Sequence, residues 1–148
     1  MSAAATIHAS VALVGEYGVL IRGASGSGKS ALLLALIAAD IARNALVADD
    51  RVALAAHHGT LVASAPEELA GLIEVRGQGI LTRPHVSPVV IDLAVDIEPP
   101  ADCPRMPEPD ERTEIAGISL CRLVLPAGTG DGPLRVLTAL SERLGRNA

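Results

Sequence analysis

The sequence predicts an α/β domain in which a mixed β-sheet, with few helices, surrounds a phosphate-binding loop. Three observations carry that expectation. Residues Gly23-Ala24-Ser25-Gly26-Ser27-Gly28-Lys29-Ser30 follow the pattern G-x-x-x-x-G-K-[ST]. An apolar, β-branched run (18–22) leads into them, and the strong helix former ALLLALIAADIA (31–42) leads out. The rest of the chain is mostly short extended runs between turn residues, which argues against a regular doubly wound sheet.

Each element follows from local pattern. Ile7, Ala9, Val11 and Leu13 alternate with His8, Ser10 and Ala12, as in a half-buried strand. Gly15-Glu16-Tyr17-Gly18 turns the chain back into the strand before the loop. After the helix comes the apolar run Ala45 to Ala48, ending in Asp49-Asp50. Val52 to Ala56 and Thr60 to Ala63 flank His57-His58-Gly59 as a hairpin, whose histidines read as a solvated turn. His85 is read the same way, as a residue outside any site.

Ser64-Ala65-Pro66-Glu67 has capping-box spacing ahead of a brief helix through Ala70. Leu72 to Val75 enters the turn Arg76-Gly77-Gln78-Gly79, and Ile80 starts the next extended piece. Val89 to Ile97 reads as a strand. Prolines 99, 100, 104, 107 and 109 then make 98–112 an irregular, mobile loop. Ile118 to Leu125 is a last strand and Pro133 to Leu144 a terminal helix. No repeat or linker divides residues 1–148, so a single domain is expected.

Composition excludes several functions. Tyr17 is the only aromatic residue, so stacking platforms for single-stranded nucleic acid are lacking. A net charge of −5 likewise disfavours a binder of phosphate backbones. Cys103 and Cys121 form no C-x-x-C pair and read as reduced packing residues. No basic-then-apolar leader is visible, and the helix 31–42 is interrupted by Asp40 and too short to span a bilayer. A cytoplasmic protein without nucleic-acid or membrane partners is the expectation.

The loop dictates its own chemistry. Its glycines let successive N–H groups turn inward around an oxyanion, and the following helix adds its positive end. Lys29 can reach the outer phosphates of ATP, and Ser30 offers a hydroxyl to Mg²⁺. Asp49-Asp50 ends a strand twenty residues after Lys29, where phosphate-loop proteins carry a metal-linked carboxylate. Neighbouring strand residues point to opposite faces. One aspartate can therefore bind the metal while the other faces an acceptor hydroxyl as general base.

Four features in order bring a resemblance. They are His8 fifteen residues before Gly23, GASGSGKS, Val47-Ala48-Asp49-Asp50, and Glu74-Val75-Arg76-Gly77-Gln78-Gly79-Ile80. Together they resemble the catalytic domain of the HPr kinase/phosphorylase family, whose fold is PEP carboxykinase-like. The likeness covers nearly the whole chain and matches short forms without the family's separate N-terminal domain. It implies ATP-dependent phosphorylation of a serine on the phosphocarrier HPr, and phosphorolytic reversal in which inorganic phosphate leaves as pyrophosphate.

The resemblance also implies roles. Asp50 accepts the serine proton, and His8 assists at the edge of the site. Ser30, Asp49 and Glu74 belong to the metal network. Glu74, Arg76, Gly77 and Gly79 form the element that serves dephosphorylation, and Arg105 is a further phosphate ligand. A homo-oligomer is implied as well, since full-length relatives are hexamers. Three departures stand out: Gln78 replaces a customary leucine, Gly128 is not followed by an Arg-Asn pair, and three extra residues precede the aspartates. The competing readings are a small-molecule phosphate-loop kinase and a non-catalytic regulator that binds nucleotide or pyrophosphate.

Overall fold

The structure, a computed structural model, describes residues 5–106, 108 and 111–145. Eleven strands and two α-helices follow one another among the described residues. They are β1 (Ala5–Ile7), β2 (Ser10–Val14), β3 (Tyr17–Gly23), α1 (Lys29–Ala39), β4 (Ala45–Ala48), β5 (Val52–His57) and β6 (Thr60–Ser64). After these come β7 (Leu72–Val75), β8 (Gly79–Thr82), β9 (Val89–Glu98), β10 (Arg112–Ile115), β11 (Ile118–Pro126) and α2 (Gly132–Ala139). Described helices include none long and apolar enough to cross a membrane.

The mixed sheet is organised by β9. Its ten residues span about 33 Å at the usual rise, enough to serve two neighbours along one edge. Val89 and Val90 pair antiparallel with β6, and Leu93 to Glu98 pair parallel with β11. The other edge runs parallel to β3. From β6 the order continues through β5 to β1, and from β3 through β2 to β4. The sheet therefore curls on itself, with β7 and β8 as a separate hairpin.

Two apolar layers result. Val19, Ile21, Leu93 and Val95 face Leu33 and Leu36 of α1 and Val136 of α2. Leu20, Val11, Val47, Leu54, Leu61 and Ile91 fill the inside of the curl. Strands β2 and β3 are thus buried on both sides, so Ser10 and Ala12 are as inaccessible as Ala9 and Val11. This corrects the half-buried strand expected over Ile7–Leu13. The segment is also broken near His8, because β1 pairs with β5 whereas β2 pairs with β3 and β4. Both pieces keep a strand-like pattern, and only the partner changes.

Other boundaries moved for identifiable reasons. Helix α1 stops at Ala39 rather than Ala42. The Asn44 amide donates to the Leu36 carbonyl at 2.7 Å while its oxygen accepts from Gly15 N–H at 2.8 Å, tying the helix end to the β2–β3 turn. The brief helix before Ala70 is a single 3₁₀ turn, Glu67–Leu69, begun by Pro66. Ser64 belongs to β6, and no side chain caps that turn.

The stretch 98–112 contains a 3₁₀ turn at Pro100–Asp102, and β10 begins at Arg112. Pro107 and Pro109 lie outside the described residues. The terminal helix divides into α2 and a wider π-type turn over Leu140–Leu144.

Candidate functional site

Strand β3 delivers Gly23 to the edge where β9 ends, and the loop turns there because no other residue fits. A Cβ on Gly23 would lie 2.6 Å from Ser27 Oγ and 3.1 Å from the Ile97 carbonyl oxygen. Gly26 and Gly28 adopt φ of 81° and 106°, a region costly for residues with a Cβ. Lys29 opens α1 with its side chain buried, and its Nζ donates to the carbonyls of Gly23 (2.9 Å) and Ala24 (3.1 Å).

Two of the ammonium's three donors are used in this way. Ser27 Oγ is buried without a hydrogen-bond partner among the described residues. An unpaired hydroxyl and a lysine N–H to spare, on an anion-cradling backbone, fit the phosphates of a nucleotide.

The two aspartates lie just past the end of β4, in a bend rather than in the strand expected, and the left-handed backbone at Asp50 separates their side chains. Asp49 is 7% exposed. Its Oδ1 accepts from Ser10 Oγ and from Ser30 Oγ, each at 2.8 Å, and its Oδ2 accepts from Glu74 N–H at 3.1 Å. The last residue of the loop and the acidic pair that follows β4 are therefore joined directly. Magnesium is usually held by one or two carboxylates together with substrate phosphates; Asp49, with the Ser30 hydroxyl against it, could supply the carboxylate of such a set.

Asp50 turns outward. Its φ of 68° is left-handed, a conformation tolerated by aspartate better than by most side chains. The carboxylate is 71% exposed and lies 3.1 Å from His8 Nδ1, while Asp50 N–H donates to Ser10 Oγ at 3.3 Å. A strained, solvent-facing carboxylate with an imidazole beside it is available to an incoming hydroxyl.

The second motif reaches the same place from the β7–β8 hairpin. Glu74 contributes its backbone N–H to Asp49, while the residue itself is exposed. Arg76 extends toward the loop: its Nη2 lies 3.5 Å from where a Cβ on Gly26 would stand. Gly77 and Gly79, with φ of 81° and 98°, make the turn behind it. Among the described residues no three His, Cys, Asp or Glu side chains gather around one point.

Other residues fall elsewhere. Arg105 is exposed in the segment after the second 3₁₀ turn. His57 and His58 touch edge to face at 4.1 Å on the β5–β6 tip, and His85 bridges to Leu46. Cys103 and Cys121 are free.

Sequence reasoning missed two features. Ser10 joins both aspartates through one hydroxyl, donating to Asp49 and accepting from Asp50 N–H. Its signal was a small polar residue two positions after His8 in an otherwise apolar strand. The second feature is Asp96, 6% exposed on β9. Arg22 grips it through two bonds of 2.7 and 2.9 Å, and Arg122 Nε bonds its Oδ2 from β11. Arg122 also reaches Glu111 at 2.8 Å. Hydrogen bonding to Asp96, aided by Glu111, holds the Arg122 guanidinium above its ordinary range against the opposing effect of burial.

Comparison with known proteins points to one family. The family described as HPr Serine kinase C-terminal domain matches residues 1–141. An HPr kinase/phosphorylase of Geobacillus thermodenitrificans is 35% identical over 138 residues, covering 84% of this chain and 43% of its own length. One from Geobacillus kaustophilus is 34% identical, covering 96% of this chain and 50% of its own length. The chain thus spans about half the length, or less, of these curated relatives. Among solved structures, the Hpr(Ser) kinase/phosphatase from Coxiella burnetii superimposes with a TM-score of 0.82 at 28% identity, over 97% of this chain and 93% of that one.

Proposed function

This chain belongs to the HPr Serine kinase C-terminal domain family, and on that premise we propose that it transfers the γ-phosphoryl group of ATP to a serine of an HPr-type phosphocarrier. The observation that carries the reading is the placement of Asp50. Its exposed carboxylate adjoins His8, and its chain neighbour Asp49 is hydrogen-bonded to the loop residue Ser30. Acceptor and donor chemistry meet across one peptide bond.

In the forward reaction the loop amides and Lys29 hold the β- and γ-phosphates. The serine oxygen bonds to γ-phosphorus as the bond to the β,γ-bridging oxygen breaks, and the serine proton passes to Asp50. His8 orients the Asp50 carboxylate. Ser30 and Asp49 would hold Mg²⁺, which when bound would offset charge on the phosphates. Glu74 acts through its amide, by fixing Asp49.

Run backwards, inorganic phosphate attacks the seryl phosphate. Asp50 returns its proton to the leaving serine oxygen, and pyrophosphate forms. Arg76, poised beside Gly26, suits the attacking phosphate because its planar fork can bind two oxygens. A reaction between Mg-ATP and a soluble carrier goes with a cytoplasmic location.

The test is transfer of labelled γ-phosphate to purified HPr-type proteins, with the modified residue located by mass spectrometry. Seryl phosphorylation is expected. Asp50→Asn should keep nucleotide binding and lose about 10²- to 10⁴-fold in transfer. If none of a panel of carriers is phosphorylated, the reading fails.

A further inference from the structure

We propose that Ser10 is a positioning residue for phosphoryl transfer: its buried hydroxyl holds the strained turn that presents the Asp50 carboxylate. The inference rests on the reading above, in which Asp50 accepts the serine proton. Asp50 has a φ of 68°, and Arg51 N–H donates to the Asp49 carbonyl at 2.8 Å, across a single intervening residue. Positive φ together with an i→i+2 bond marks the rare and strained kind of γ-turn. Such a conformation persists in a residue with a Cβ only where its surroundings over-determine it.

The bond from Arg51 closes the turn without fixing it against the rest of the fold. Two contacts from the neighbouring segment do that. Asp50 N–H donates to Ser10 Oγ at 3.3 Å, and the Asp50 carboxylate lies 3.1 Å from His8 Nδ1. His8 is exposed, whereas Ser10 is inaccessible to solvent, so Ser10 is the firmer of the two anchors. Its place follows from the sheet: Val11 of β2 pairs with Ala48 of β4, which puts Ser10 beside the residues that follow β4.

Proton accounting fixes the direction of each bond. A hydroxyl has one proton to give, and an ionised carboxylate only accepts. Ser10 gives its proton to Asp49 Oδ1 at 2.8 Å, which leaves its oxygen to accept from Asp50 N–H. Giving up the proton makes that oxygen the better acceptor. Being buried, Ser10 cannot touch a nucleotide or a phosphocarrier, so its contribution passes through the two aspartates. Removing the hydroxyl leaves Asp49 with Ser30 Oγ and Glu74 N–H, but takes from Asp50 the bond that ties its amide to β2.

The experiment compares the full chain with Ser10→Ala, Ser10→Thr and Ser10→Val, each read for transfer to the carrier and for the geometry of Asp50 in a crystal structure. Alanine removes the hydroxyl without adding bulk. Threonine and valine are nearly equal in volume and differ in the hydroxyl, so that pair answers the same question should the alanine variant not fold.

Ser10→Ala and Ser10→Val should lower kcat about tenfold to a hundredfold, while KM for ATP and for the carrier stays within about threefold of wild type. Ser10→Thr should keep kcat within about threefold of wild type. In the alanine variant Asp50 should leave positive φ and its carboxylate should part from His8. With Asp50→Asn already present, removing the hydroxyl should change transfer by less than about twofold, since the group it positions no longer accepts a proton. An unchanged kcat in the variants without the hydroxyl, a loss confined to KM, or a loss that multiplies with that of Asp50→Asn overturns the assignment. So does a variant turn that keeps its φ and its His8 contact. A wild-type chain that transfers nothing removes the phosphotransfer reading by itself, and the crystal geometry of the variants then still decides whether Ser10 holds Asp50.

Discussion

Asp49 and Asp96 are equally buried and both sit at the phosphate-loop end of the sheet, yet they are held by opposite chemistry. Asp96 lies between two guanidinium groups, those of Arg22 and Arg122. Asp49 receives two hydroxyls and one backbone amide, all neutral. A buried carboxylate needs compensation. At Asp96 the compensation is complete within the protein, and the charge is spent on joining β3, β9 and β11. At Asp49 the hydrogen bonds are satisfied but no cationic side chain is among the donors, which is what the proposed role beside a cation requires. Burial alone does not distinguish the two carboxylates; the charge of their donors does.

The contrast is sharpest under mutation. Asp96→Ala should cost about 3–5 kcal/mol of stability in urea unfolding, because it leaves two arginines facing one another. Phosphoryl transfer per folded molecule should change little, and a large loss there would break the distinction. Asp49→Asn should act the other way. Magnesium affinity, followed through the metal dependence of transfer, should fall about 10- to 100-fold. The stability cost should stay near about 1–3 kcal/mol, the penalty of setting an amide N–H against Glu74 N–H.

Arg76→Ala tests whether the hairpin arm serves one direction of the reaction. Phosphorolysis should drop at least about tenfold more than phosphorylation, and equal losses would refute the division.

Asp92 supplies the smallest effect and a third environment. It is half-buried, and one backbone donor, Gly18 N–H at 3.0 Å, is bonded to it. Burial pushes its carboxyl up from the ordinary range, with Glu16 adding to the rise and the Gly18 bond opposing it. The folded state then holds this proton more tightly than the unfolded chain. The resulting stabilisation is in place at pH below the unfolded value and is lost as pH rises through the folded one. Asp92→Asn should therefore gain on wild type across that window in thermal melts. A difference that is flat with pH would place Asp92 with the fully compensated Asp96.

The parts legible in the chain are those whose cause is local. Gly23 to Ser30 announces its conformation because glycines and a helix start within eight residues dictate it. The hairpins β2–β3, β5–β6 and β7–β8 follow from turn residues between short apolar runs. Asp49 and Asp50 were recognisable as an acidic pair at the end of an apolar run, but strand alternation was the wrong reason for expecting them to diverge: both lie beyond β4, and the left-handed turn at Asp50 does it.

What remained hidden depends on partners distant in sequence. Whether Ser10 is buried depends on the curl of the sheet over β2, and the separation of β1 from β2 depends on which strand each meets. Arg22, Asp96 and Arg122 become one cluster only because β3, β9 and β11 run parallel and adjacent, with 74 and 26 residues between the bonded pairs. The amino-acid order by itself determined the phosphate cradle and the acidic pair that follows β4, since short-range sterics and an apolar run ending in two carboxylates are local features. Only the tertiary structure decided which buried carboxylate is held by guanidinium groups and which by neutral donors alone, because that depends on donors brought from other strands.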